Sequence, residues 1–486
     1  KKTKGYLLTI VLLLGYFAYV IAAMCYRFND EGAYRLLACT IVAVIIASRS
    51  YIRHGLKVFM KKVTGSSSLT PVWRKRRDAV RFSLRWVMYA AVIGVMIWVI
   101  VDKAMKEPDN LRSIPGIFII IFICLFFSSA PSKVNYHTIF WSVGLQFLFS
   151  MFIMKWQTGK DAVWWLQSRV DEFLANADAG SIVVFGKNFR DHFLMFGAMP
   201  LLLFINGMIT LLYYCGAMQF TIRVFGNFLQ FVLDTSPIES MAVAAGTFME
   251  GWTTLSTFRP YLHTLTKSQL FLVISSCYSS IGSTFLAILV QMGVPLDLII
   301  GAMLISAPAV FTICKLMVPE TSRKKNVKLT EIGEEEKRKY TNSLDAFQEG
   351  ALMMLGIIGS ITVSTYSLIS LISWVNNTLA WFGDRVGVKA LSIELISSYL
   401  MYPFALAMGV TPEDCRRVAM LCGYRLGSSI LIAFLKFVEL KNNRLKYVDY
   451  MLKTGGNGTV TYVNDDVILD QWGVTLPFGF ISVSFN

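Results

Sequence analysis

The sequence predicts an all-α polytopic membrane protein with a re-entrant helical hairpin and an interfacial amphipathic helix. Three observations carry this. Hydrophobic residues make up 55% of the 486 residues and charged residues only 16%, against about a quarter charged in a typical soluble protein. The apolar residues fall into runs near the length needed to cross a bilayer, about 20 residues. The basic residues behind the net charge of +15 cluster in the loops between those runs.

The same numbers exclude other classes. With so few charges and a mean hydropathy of +0.54, a soluble fold of this size could not cover its surface. Disorder, collagen and coiled coil are excluded on composition. Basic loops flanking apolar runs read as orientation signals and contact with an anionic leaflet, so no nucleic-acid partner is expected. Of eight cysteines, Cys25, Cys39, Cys124, Cys277 and Cys314 lie inside apolar runs, and no C-x-x-C occurs. Neither a disulfide framework nor a zinc site is implied. His54, His137, His192 and His263 are isolated from one another and read as structural.

In chain order, the first run is Tyr6–Tyr26, preceded by Lys1, Lys2 and Lys4 and followed by no small-residue cleavage site. Leu36–Ile52 is the second. From Arg53 to Arg85 there are ten Lys or Arg and one acid, Asp78, so this loop is expected in the cytoplasm, and the N-terminus with it. Runs follow at Leu84–Val101, Ile114–Ser129 and Thr138–Met154. Asp161–Asn176 sets Val163, Trp164, Trp165, Leu166, Val170, Phe173 and Leu174 at helical spacing among charged residues, the pattern of a helix lying in the interface. Phe193–Met218, Leu270–Met292 and Leu296–Val318 are further runs. Pro319–Lys339 is long, polar and basic, and reads as a cytoplasmic linker between two halves. The second half has runs at Ala351–Val375, Leu391–Val410, Val418–Val438 and Val467–Phe485. Asn376 and Asn457 head N-x-[ST] sequons, and Asn376 is expected outside the cell.

One apolar stretch, Asp234–Leu262, is not an ordinary span. Ser236-Pro237-Ile238-Glu239 has the form of a capping box with Pro at the first helical position, so a helix should start there. Glu250-Gly251-Trp252-Thr253-Thr254 then interrupts the apolar pattern. Two arms of about ten residues are each too short to cross. They describe a hairpin entering and leaving the membrane on one side, its polar break at Gly251–Thr254. Irregular backbone at that depth is tolerated only where it is buried or lines a cavity, and broken helices are where transporters hold substrate and ion.

Several stretches resemble the concentrative nucleoside transporters, the sodium/nucleoside cotransporters of the animal branch. They are Val184-Phe185-Gly186, Asp191-His192-Phe193, Leu212-Tyr213-Tyr214-Cys215-Gly216-Ala217-Met218-Gln219, Ile238-Glu239-Ser240 and Arg259-Pro260-Tyr261-Leu262. Ser306-Ala307-Pro308-Ala309, Lys315-Leu316, Pro319-Glu320, Glu349-Gly350-Ala351, Trp381-Phe382-Gly383-Asp384 and Glu394-Leu395-Ile396 follow in the same order. The resemblance implies a homotrimer of multi-pass chains in the plasma membrane. It also implies a transporter with re-entrant hairpins and broken helices that imports nucleosides with sodium or protons by alternating access. No enzymatic activity and no cofactor are implied, sodium being the coupling ion. Five blocks are expected: 1–155, N-terminal spans; 156–233, interfacial helix and scaffold; 234–318, first hairpin and following spans; 319–349, polar linker; and 350–486, second core half, incomplete at its C-terminus.

The implied site residues depart from the family's pattern. Aligned on Phe248 and Arg259, the sodium-ligating Asn becomes Gly246, the nucleobase-binding Gln/Met becomes Gly251, and a Glu becomes Thr253. The remaining sodium positions, partly backbone carbonyls, fall at Met249, Ser280 and Ile281. In the second half the family's Asn and ribose-binding Glu become Ser429 and Ile430. In the second hairpin Phe480 is retained and Asn becomes Ser482. Glu250, one helical turn before Thr253, is the carboxylate placed to substitute. The bilayer and a nucleoside are the expected partners, and sodium binding is expected to be weak. The lost polar groups raise a second reading, a transport-dead or specificity-altered paralogue acting as a trimeric scaffold or regulatory subunit.

Overall fold

The computed structural model describes residues 15–26, 32, 36–37, 40, 71–106, 111–189, 193–322, 340–387, 391–427, 430–456, 458–463, 466–469 and 474–476. The expected basic loop before residue 71, most of the polar linker, and Asn457, Ser429, Phe480 and Ser482 lie outside these residues. The chain divides into two compact units, 1–93 and 94–486. In the first, helix α1 (Gly15–Tyr26) sets the Tyr16 hydroxyl 2.9 Å from the Thr40 hydroxyl, and Thr40 donates to the carbonyl of Leu36. A long helix, α2, runs Pro71–Lys106.

In the second unit, α3 (Ser113–Phe126) and α4 (Tyr136–Met154) are apolar helices, the latter capped by Asn135, which accepts from the backbone N–H of His137. Helix α5 (Gln157–Phe185) covers the expected amphipathic stretch and runs nine residues beyond it. It buries Val163 and leaves Trp164 and Trp165 exposed, as an interfacial helix does. The expected run from Phe193 to Met218 divides into a π turn (Phe193–Ala198), α6 (Met199–Cys215) and α7 (Ala217–Leu233). Gly216, at φ 84°, makes the left-handed corner between α6 and α7.

Two further runs are not single spans. Asp234–Leu262 folds as α8 (Pro237–Phe248) and α9 (Gly251–Phe258), followed by a 3-10 turn at Arg259–Thr264. Leu270–Met292, expected as one helix, is also broken, into α10 (Lys267–Ser279) and α11 (Ser283–Gln291). Helix α12 (Leu296–Met317) follows, with Pro308 inside it. Helix α13 (Ser343–Arg385) has 43 residues, well beyond the expected apolar run, because its polar flanks continue the helix. The run Leu391–Val410 forms two short helices, α14 (Ile393–Leu400) and α15 (Tyr402–Ala407). The last helices are α16 (Pro412–Gly427) and α17 (Ile430–Lys453). Among the described residues four helical segments are long and apolar enough to cross a membrane: Tyr136–Ile153, Met195–Cys215, Leu296–Met317 and Ser343–Arg385.

The start of the expected final run, Val467–Phe485, is not helical. Val460–Val463, Asp466–Leu469 and Val474–Leu476 form a three-stranded antiparallel sheet, β1-β2-β3. Val467, Leu469 and Leu476 pack on the fully buried ring of Tyr450 from α17. Runs of Val, Thr and Tyr suit a pleated, half-buried surface better than a helix.

Helices meet where side chains are small, the usual device inside a membrane, where apolar burial does not drive association. Gly207 on α6 packs against Phe347 on α13, and Asn206 Nδ2 donates to the Gly350 carbonyl at 2.5 Å. On α4 and α12 the hydroxyls of Ser142 and Thr312 lie 2.7 Å apart, and Gln146 donates to Thr312 at 2.9 Å. Asn376, on α13, is engaged by α14: its Oδ1 accepts from the N–H of Ile393, and its Nδ2 lies 2.8 Å from Glu394 Oε2. A side chain that positions the next helix is a poor glycan acceptor.

Candidate functional site

The hairpin begins as its sequence requires. Ser236 Oγ accepts from the Glu239 N–H, and the Glu239 carboxylate accepts from the Ser236 N–H, closing the capping box. A second capping box, Thr266 with Gln269, starts α10. The two are tied together, since Gln269 Nε2 donates to Ser236 Oγ at 3.2 Å. Lys315, buried on α12, completes the base: its ammonium pairs with the Glu239 carboxylate and donates to Ser268 Oγ at 2.9 Å. Ser268 in turn donates to the Val318 carbonyl. A buried ion pair of this kind persists only with further hydrogen bonds, and here Ser236 N–H donates to the second Glu239 oxygen and Ser268 accepts from Lys315. A cavity of about 240 Å³ opens beside it, lined in part by Lys133, Thr138, Asp234, Glu239, Lys315 and Glu320.

The helices joined at the base stay together to their tips. A Cβ built on Gly246, near the end of α8, would lie 2.7 Å from the carbonyl oxygen of Ser276, near the end of α10. Contacts at base and tip in the same order mean that α8 and α10 run parallel, with their C-terminal ends side by side. The chain then breaks in both. Met249 (φ −114°, ψ 162°) and Glu250 (φ −64°, ψ 146°) are extended before α9, and Ser280 (φ −115°, ψ 158°) and Gly282 (φ −63°, ψ 158°) are extended before α11. The hairpin break therefore sits at Met249–Glu250, just before the expected Gly251–Thr254. Gly251 is already helical.

The two breaks touch. A Cβ on Gly251 would run into the Cys277 carbonyl, and one on Gly282 would run into the carboxylate of Glu250. The structure thus brings together Gly246, Met249, Glu250, Gly251, Ser280 and Ile281 from the residues expected in the site. Met249 is 2% exposed, its side chain packed with Tyr213, Ile222 and Phe258, so only its backbone is available to an ion. Glu250 is 9% exposed, so it does not lie open to water. Thr253 is half-buried on α9, and Ile430 is half-buried at the start of α17. Gly282, Thr254 and the pair Lys315–Glu239 were not expected in functional roles. Their signal was a lone charge inside an apolar run for Lys315, while Gly282 and Thr254 carried none.

Two backbone ends and several oxygens therefore converge. Helix C-termini carry a partial negative charge from their unpaired carbonyls. Among the described residues Ser280 Oγ and Thr254 Oγ1 are buried without a hydrogen-bond partner. Among the described residues no group of three His, Cys, Asp or Glu is placed to hold a metal ion. Oxygen donors with one carboxylate fit a hard cation of low charge.

Comparison with known proteins adds to this geometry. Residues 298–455 match the family described as "Na+ dependent nucleoside transporter C-terminus", and residues 115–188 match its N-terminus counterpart. The chain is 32% identical over 447 residues to solute carrier family 28 member 3 of Eptatretus stoutii, covering 91% of this chain and 64% of that protein. It is 29% identical over 445 residues to sodium/nucleoside cotransporter 2 of Rattus norvegicus, covering 90% and 65%. The chain thus spans just under two thirds of the length of these curated relatives. Among solved structures, CNTnw in an inward-facing substrate-bound state is similar with a TM-score of 0.64 at 28% identity, over 68% of this chain and 80% of that one. An outward-facing variant of CNTnw gives 0.65 at 29%, over 69% and 82%.

Proposed function

We propose that the chain is a member of the sodium-dependent nucleoside transporter family and a secondary active transporter that imports nucleosides. One observation carries the reading: the hairpin break at Met249–Glu250 faces the break at Ser280–Gly282, away from either helix base. Irregular backbone belongs at such a depth only where it serves a site. Sodium is the coupling ion of this reading, held by the carbonyls of Met249 and Ile281 and the hydroxyl of Ser280. A proton is its competitor. The substrate would lie beside Glu250, Gly251 and Thr253 on one side and Ser429 and Ile430 on the other, with Phe480 and Ser482 from a second hairpin. Alternating access then moves this cluster between the two faces of the plasma membrane, the N-terminus being cytoplasmic.

A homotrimer belongs to the same reading. In the apolar window of α13 only 11% is buried within the chain, which leaves a long apolar face for lipid or for neighbouring copies. The second reading, a transport-dead or specificity-altered paralogue, is favoured by Gly246 and Gly251. Both pack so closely against α10 that no side chain fits where the family places polar ones. Uptake of radiolabelled uridine and adenosine by cells expressing the chain, with sodium or choline outside, separates the two. Sodium-dependent uptake supports transport, and surface expression with no uptake supports the scaffold.

A further inference from the structure

We propose that Ser322 is a phosphorylation site, and that its phosphoryl group docks on Lys133 and fastens the end of α12 to the turn before α4. The proposal does not depend on nucleoside transport. It requires only that the basic segment after α12 faces the cytoplasm, where ATP and protein kinases are.

The acceptor is presented to solvent. Thr321 and Ser322 are exposed, just beyond the last residue of α12, Met317. The sequence continues Arg323-Lys324-Lys325. Basic residues directly after a serine suit a kinase whose substrate groove is acidic, since complementary charge selects the partner. In the transfer, Ser322 Oγ attacks the γ-phosphorus of ATP. The bond from that phosphorus to the β–γ bridging oxygen breaks, ADP leaves, and the hydroxyl proton passes to the kinase's base.

The place that receives the charge is already built. Ser322 lines the cavity of about 240 Å³ at the hairpin base, together with Lys133, Lys315, Asp234, Glu239 and Glu320. Of the two lysines, Lys315 is buried against Glu239, whereas Lys133 is exposed. Lys133 ends the 3-10 turn Pro131–Lys133, and that turn is held against α12. The Ser129 N–H donates to the Met317 carbonyl at 2.9 Å, and Val134 packs with Leu316. The turn carrying Lys133 and the chain end carrying Ser322 are therefore fixed as neighbours before any modification.

The sign of the effect follows from the charges around Ser322. A phosphoryl group brings a charge of about −1.5 to −2 at neutral pH and three strong acceptor oxygens. Lys133 can meet it in a charge-assisted hydrogen bond. Glu320 opposes it. One Glu320 oxygen accepts from the Ser322 N–H at 3.2 Å and the other from Thr266 Oγ1 at 2.8 Å, which ties this chain end to the start of α10. With Lys133 present the phosphoryl group adds a tie across the cavity. With Lys133 removed only the repulsion from Glu320 and Asp234 remains, and the modification should loosen the same region.

The test uses the full chain expressed in cultured eukaryotic cells with phosphatase inhibitors and purified in detergent, half of it then treated with phosphatase. A parallel sample is phosphorylated in vitro with ATP and a serine kinase that prefers basic substrates. Tandem mass spectrometry should place phosphate on Ser322, and Ser322→Ala should lose it. Phosphorylated wild type should melt higher than the phosphatase-treated half, by about 2 °C. In Lys133→Met the same comparison should give no rise or a fall, and Lys133→Gln serves if that variant does not fold. Ser322 without phosphate in both samples overturns the site. A midpoint unmoved by phosphate in the wild type, or raised equally in the Lys133 variants, overturns the docking. Neither readout involves uptake, so failure here leaves the transporter reading untouched, and absence of uptake leaves this one untouched.

Discussion

Gly246 lies so near the carbonyl oxygen of Ser276 that any side chain at 246 would begin 2.7 Å from it. The contact makes glycine a packing requirement at the place where the family resemblance implies an amide. The absence of that amide and the close approach of α8 to α10 are one structural fact.

Gly246→Asn should therefore destabilise the protein and leave its sodium response no stronger. Overpacking of this kind costs about 1–3 kcal/mol. Melting in detergent with and without sodium checks it. A more stable protein with tighter sodium binding would show that α8 and α10 separate freely.

The pair Lys315–Glu239 should be the most sensitive point of the hairpin base. Lys315→Met leaves Glu239 charged and buried, which costs about 3–5 kcal/mol. Adding Glu239→Gln to it should recover much of the loss, because the remaining amide can still accept from the Ser236 N–H. A double-mutant cycle on thermal unfolding measures this. Purely additive effects would mean that the two residues act independently.

Asn376 should carry no glycan despite its sequon. Treatment of the expressed protein with an N-glycosidase should leave the mass at this site unchanged. Asn376→Ala should cost about 1 kcal/mol, the usual loss for a cap, because the Ile393 N–H and Glu394 lose their partner.

Canonical nucleosides should bind weakly, at millimolar concentration or not at all. Each missing polar contact costs about 1–3 kcal/mol, or 10- to 200-fold in affinity. Thr253→Glu combined with Ile430→Glu should raise uridine uptake if the rest of the site is intact. Micromolar uptake by the unaltered chain would count against this and transfer the contact to Glu250.

Much of this architecture could be read from residue patterns, and the exceptions have physical causes. The start of the hairpin was legible because Ser236, Pro237 and Glu239 each state a helix N-terminus in local terms. The break was expected too late because Gly251 reads as a breaker, whereas the extended residues are Met249 and Glu250. Gly251 is needed for closeness to Cys277, not for a turn. The gap at Ser280–Gly282 was hidden inside an apolar run, where hydropathy averages over both halves of a broken helix. Residue type alone also could not show that Lys315 on α12 meets Glu239 on α8, since 76 positions separate them.

The arms of the hairpin are fastened at their base by side chains, through Gln269 to Ser236 and Lys315 to Glu239, while Phe258 anchors the returning arm in the core. The peptide that joins α9 to α10 through Arg259–Thr264 packs Tyr261 and Leu262 on the core but leaves His263 exposed. An epitope inserted beside His263, or a protease cut there, should leave the arms in place. This makes the turn a practical site for a reporter of which side of the membrane it faces.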